Sequence, residues 1–129
     1  MNKLFDKLWV KIDDISCNDV TFIKKDIYMM KDLDTCFIIA EIDLNTKETV
    51  GNIIDINIPV LNYDFPPCEN TTFAIKNNDT NTLIKIKILP YTLRLESFPF
   101  TASSKYEFNI QFFFMLRNPI TYSTAIDNL

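Results

Sequence analysis

Tyr106-Glu107-Phe108-Asn109-Ile110-Gln111-Phe112-Phe113-Phe114-Met115-Leu116 is the stretch whose reading decides the fold. Tyr106, Phe108, Ile110, Phe112, Phe114 and Leu116 fall on one side of an extended chain, because successive side chains of a strand point to opposite faces. That run predicts a β-strand with one deeply buried face, central in its sheet. The opposite side begins polar, with Glu107, Asn109 and Gln111, and turns apolar at Phe113 and Met115. A strand apolar on both sides over its second half needs a second covering layer, from its own fold or from another molecule, because soluble monomers rarely expose large contiguous apolar areas.

The same alternation recurs upstream. Ile54, Ile56, Ile58 and Val60 oppose Asp55 and Asn57; Ile84, Ile86 and Ile88 oppose Lys85 and Lys87; Tyr91, Leu93 and Leu95 oppose Arg94 and Glu96. Cys36 to Leu44 is β-branched and apolar, and the polar Asn45-Thr46-Lys47-Glu48 reads as a turn that closes a hairpin onto Thr49 to Val60. Val20 to Lys25 and Val10 to Ile15 read as shorter strands. Pro59, Pro66-Pro67, Pro90, Pro99 and Pro119 bound these segments, since proline donates nothing to a ladder. Asn77-Asn78-Asp79-Thr80-Asn81 reads as a hairpin loop in which Asn or Asp takes the left-handed conformation that glycine usually supplies. Seven or eight short strands predict an all-β single domain over residues 1–129, a β-sandwich of jelly-roll type or a small barrel. At the N-terminus Leu4, Phe5, Leu8 and Trp9 recur at helical spacing and predict a short amphipathic helix within residues 1–10. Such a helix needs a surface to dock on, either its own sheet or a neighbour. The tail over 118–129 carries apolar residues at intervals and reads as a second candidate for lying across a neighbour.

Composition removes most chemistry. The 129 residues include no histidine and one glycine, Gly51. Phosphate-cradling loops need several glycines, and histidine is the usual base near neutral pH and the commonest nitrogen ligand for transition metals. Asp13-Asp14, the Asp32/Asp34 pair and Asp64 are the remaining acid–base or cation-binding candidates, and their spacing forms no calcium loop. Cys17, Cys36 and Cys68 show no CxxC spacing and read as free thiols in a reducing compartment. Asn70-Thr71-Thr72 and Asn78-Asp79-Thr80 match a glycosylation sequon but follow no export signal. The expectation is a protein that is not an enzyme and has no cofactor and no metal site.

The 17 acidic against 13 basic side chains, net −4, disfavour nucleic acid. Seventeen aromatic residues nevertheless keep a barrel binding single strands as an alternative, with Lys24, Lys25, Lys85 and Lys87 the candidate contacts. No apolar run is long enough to cross a bilayer as a helix. The skew towards Ile, Asn and Lys points to a low-GC genome, a virus or phage by preference. The reading is a structural or accessory protein acting by self-association, with Leu4, Phe5, Leu8, Trp9, Phe113 and Met115 as its contact residues. Its expected location is intracellular or on a virion. A module that binds a host protein is the other alternative.

Overall fold

A computed structural model describes residues 9–32, 34–62, 65–97 and 99–115. Within them the chain forms eight strands: β1 (Val10–Ile12), β2 (Val20–Asp32), β3 (Thr35–Thr46), β4 (Ile53–Asn57), β5 (Cys68–Lys76), β6 (Thr80–Leu89), β7 (Thr92–Glu96) and β8 (Lys105–Met115). They make one antiparallel sheet in the order β1-β2-β3-β8-β5-β6-β7-β4, curled into a half-barrel. A backbone bridge between Ser16 and Asn57 ties the segment after β1 to the end of β4, so the two ends of the strand order meet.

The last strand is central. All of β8 pairs with β3, from Thr35↔Met115 to Asn45↔Lys105. On its other side β8 pairs with β5 only at Ile75↔Glu107 and Lys76↔Tyr106. Beyond that point the two strands diverge, and side chains replace the ladder. Thr72 donates its hydroxyl to the Asn109 carbonyl at 3.0 Å, and Asn70 donates its amide to the Gln111 carbonyl at 3.0 Å. The seam divides the sheet into a β1-β2-β3-β8 half and a β5-β6-β7-β4 half that fold towards each other.

Tyr106, Phe108, Ile110 and Phe112 line the buried side of β8, as the alternation predicts. They meet Ile38, Ala40, Ile42 and Leu44 of β3 and, from the other half, Ile54, Ile56, Ile84, Ile86, Ile88, Leu93 and Leu95 in one cluster. Burying those four β8 side chains supplies roughly 6–12 kcal/mol, at about 1.5–3 each, which is comparable to the net stability of a whole domain. Between the two halves lies a small gap of about 10 Å³, too small for more than a single water and lined by apolar side chains such as Ile12, Ile58 and Phe112.

Several local expectations are corrected. β3 does not form a hairpin with the 49–60 segment; it pairs with β2 and β8, while β4 pairs with β7. The polar 45–48 stretch is not a hairpin turn: Asn45 and Thr46 still belong to β3, with Thr46 drawn inward, and the chain crosses to the other half after them. The Thr46 hydroxyl donates to the Thr101 carbonyl at 2.6 Å and accepts the Ser104 N–H at 3.0 Å. β4 stops at Asn57, so Ile58 is buried in a turn and Val60 faces outward. Tyr91 is not a strand residue; it sits in the β6–β7 turn with φ 61°, and β7 starts at Thr92. β1 ends at Ile12, although Ile15 is still buried. β2 runs on to Asp32, past the Lys25 limit expected, with a bulge at Phe22/Lys24. The hairpin loop read at 77–81 implied a strand before it, and β5 is that strand, but the sequence reading gave it no residues. Left-handed residues do turn the chain without glycine: Asn77 (φ 52°) and Asn78 (φ 61°) close the β5–β6 hairpin, and Gly51 is not among the positive-φ positions. The helix expected within residues 1–10 and the tail over 118–129 lie outside the described residues, apart from Trp9 and Val10.

Thr46→Val keeps the shape of the side chain while stranding the buried Ser104 N–H and Thr101 carbonyl. We expect a loss of about 1–3 kcal/mol, read as a lower urea midpoint at unchanged m-value; an unaltered midpoint would show that this polar tie contributes nothing.

Candidate association surface

The outward face of the β1-β2-β3-β8 half changes character along the strands. At one end Lys24, Asp43 and Glu107 lie in one cross-strand row, and Asp26, Glu41 and Asn109 in the next. Lys24 pairs with Glu41 at 2.8 Å and Lys105 with Glu107 at 2.7 Å. Partial burial, with Glu107 beside it, raises the pKa of the Asp43 carboxyl. The middle of the face holds a shallow concavity of about 470 Å³ whose floor and rim include Tyr28, Ile39, Glu41, Asn109 and Gln111.

At the far end the rows become apolar. Met30, Phe37 and Phe113 stand side by side across β2, β3 and β8, and Met115 follows one row further, beside Thr35. The Phe37 and Phe113 rings pack at 4.8 Å between centroids, tilted by 53°, a favourable aromatic geometry. The Thr35 hydroxyl lies 4.0 Å from the Met115 sulfur. Even so, Phe113 is 65% exposed and Met115 54% exposed. Phe37 covers one side of Phe113 and leaves the rest in solvent. Trp9, half-buried, precedes Val10, which pairs with Met29, so it lies at the same end of the sheet. Leu4, Phe5 and Leu8 fall outside the described residues.

The four lysines proposed for nucleic acid are not brought together. Lys24 and Lys25 are on β2, Lys85 and Lys87 on β6 in the other half. Lys85 pairs with Glu69 at 3.0 Å and Lys87 with Glu96 at 3.0 Å, and the hydrogen bond to Glu69 raises the pKa of Lys85. Lys25 donates to the Ile15 carbonyl and lies over the Phe22 ring. Together with the bidentate Arg94–Asp55 pair, at 2.7 and 3.1 Å, Lys85 and Lys87 form a charge-balanced ladder on the outer face of the second half. The acid pairs are equally dispersed: Asp34 accepts the Thr35 hydroxyl at 3.1 Å, Asp32 is exposed, and Asp64 lies outside the described residues. No group of three or more potential metal ligands occurs among the described residues.

The sequence reading missed a cluster of exposed apolar residues on β5 and β6. Phe73 and Leu83 face each other across β5 and β6, with Ile75 next to them, at 66%, 55% and 42% exposure. Leu83 shares the outward phase of Lys85 and Lys87, which was a usable signal. Asn70 and Thr72 of the sequon serve the β5–β8 seam.

No protein-family model matches the chain, and no curated protein sequence matches it. Among solved structures, the head domain of the porcine adenovirus type 4 NADC-1 isolate fibre superposes with a TM-score of 0.53 at 10% identity, covering 86% of this chain and 98% of that one. The fold is similar to that of a viral fibre head.

Cys36 and Cys68 supply a check on the packing around the two halves. Burial pushes each thiol up to about 11 from its ordinary 9.0. Unfolded thiols ionise near the ordinary value while folded ones keep their proton, so the unfolded state binds fewer protons between about pH 9 and 11. Stability should therefore fall as pH rises through that window, and a Cys36→Ala/Cys68→Ala variant should fall less steeply. Equal slopes for the two proteins would contradict the assignment.

Proposed function

We propose that this protein is a non-enzymatic structural subunit that works by binding copies of itself, through the outward face where Met30, Phe37, Phe113 and Met115 gather, with Trp9 at its margin. The observation that carries the reading is Phe113: a phenyl ring 65% exposed, on a central strand whose opposite side is buried in the core. Burying what Phe113 and Met115 still expose would contribute about 2–4 kcal/mol per subunit. Association costs about 4–15 kcal/mol in lost freedom, so a contact of this size assembles firmly only when it is repeated or enlarged. The similarity of the fold to a fibre head domain supports placing the protein in, or on, a virus particle, a setting in which repeated weak contacts are the rule.

Light scattering over a concentration series is the direct test. The account expects a discrete species heavier than the 15.1 kDa chain, reduced to the single chain by Phe113→Ser. The substitution also removes the ring contact with Phe37 and lowers strand propensity, so folding should weaken by about 1–2 kcal/mol, and retained strand circular dichroism is the control. A wild-type protein that stays a single chain at every concentration would overturn the proposal. Retained assembly in Phe113→Ser would move the contact elsewhere.

A further inference from the structure

We infer that Phe73, Ile75 and Leu83 form a second association surface, and that the occupant of this surface is the Phe37–Phe113–Met115 face of another copy. The inference rests on the self-association proposed above and adds which surface meets which. Phe73 and Leu83 are register partners, Ile75 lies two residues along β5 on the same outward phase, and Ala74 between them takes the core position. None of the three outward side chains is needed inside. The Thr72 hydroxyl bond to the Asn109 carbonyl sets Phe73 close to Asn109, four residues from Phe113 and so about 13 Å from it along the strand. The two apolar patches are thus separate, on different halves of the sheet, and a contact of either patch with its own copy leaves the other in water.

Charge separates like-with-like pairing from pairing of unlike patches. Asp32 stands in the same cross-strand row as Thr35 and Met115, and Asp34 is at the adjoining turn, so the Phe113 face has an acidic rim. Lys85 is the outward neighbour of Leu83 along β6, held by an exposed pair with Glu69. Exposed pairs of this kind exchange partners at little cost. Two Phe113 faces brought together would juxtapose four carboxylates, whereas a Phe113 face laid on Phe73 and Leu83 brings Asp32 and Asp34 up to the charge-balanced Lys85–Glu69 pair, so pairing of unlike patches carries the smaller repulsion. Unlike patches either close twice between the same two copies, giving a dimer, or run head to tail into a ring or filament, and in each case every subunit is held by two contacts rather than one.

Complementation tests this pairing. Phe113→Ser and Leu83→Ser are prepared separately and then mixed in equal amounts at a concentration where the wild type assembles, with Phe73→Ser replacing Leu83→Ser if the latter loses its strand circular dichroism. Each variant alone should need at least about tenfold more protein to assemble. The mixture should regain a species of at least two chains, because one intact face of each kind is present. Leu83→Ser and Phe73→Ser assembling like the wild type would overturn the second surface while leaving the Phe113 contact standing. A mixture that remains single chains, when each variant alone has lost assembly, would show that like meets like and overturn the pairing. A wild type that never assembles would remove the self-association reading itself.

Discussion

The pairing of β8 with β3, and the incomplete pairing of β8 with β5, is the constraint on which the rest of the molecule depends. β8 is the last strand described, yet it sits fourth in the spatial order, between the half built before it and the half built after the crossing to β4. Its inward side ties both halves to one core. Its short ladder with β5 lets the sheet bend, and Asn70 and Thr72 satisfy the carbonyls of Asn109 and Gln111 that the bend would otherwise leave open. Because contacts of such long sequence separation must form before β8 is rewarded, folding should be governed by this last strand.

An almost glycine-free chain must turn and end its sheet by other means. Asn77, Asn78, Tyr91 and Ser103 occupy the left-handed region. For Tyr91 the strain is offset by its N–H, which donates to the Leu61 carbonyl at 2.5 Å, and by its carbonyl, which accepts the Ile58 N–H at 2.9 Å. The edges are managed by brevity: β1 has three residues, β4 has five, β2 carries a bulge, and the Ser16–Asn57 bridge joins the two borders. Exposed apolar side chains occur on both edge strands, Val10 and Ile53, but the adjoining clusters, Phe37–Phe113–Met115 and Phe73–Ile75–Leu83, lie on the sheet faces.

The strands that carry the core were legible because inward Ile and Phe alternate with outward charge in β6 and with outward polar residues along the first half of β8. β5 was not, for a physical reason. Its outward positions hold Phe73 and Ile75 while its inward position between them is Ala74, so the hydrophobic pattern is inverted relative to burial. The same inversion hid the second patch. The β3–β4 connection was misread because a polar stretch after a strand looks like a hairpin turn, and nothing local reveals that Thr46 is bound to a loop 55 residues later. Phe113 and Met115 were legible as an excess of apolar surface. That Phe37 and Met30 complete their row depends on register across three strands, which no single stretch encodes.

The central claim is that the Phe113–Met115 face is covered by another copy in the working state of the protein. The most direct measurement is residue-resolved oxidation of Met115 by peroxide in dilute and in concentrated protein, with Met29, 8% exposed and inside the core, as the internal reference. The account predicts that Met115 oxidises readily when dilute and becomes protected as the protein is concentrated, while Met29 stays slow throughout. Equal oxidation of Met115 at both concentrations would contradict it.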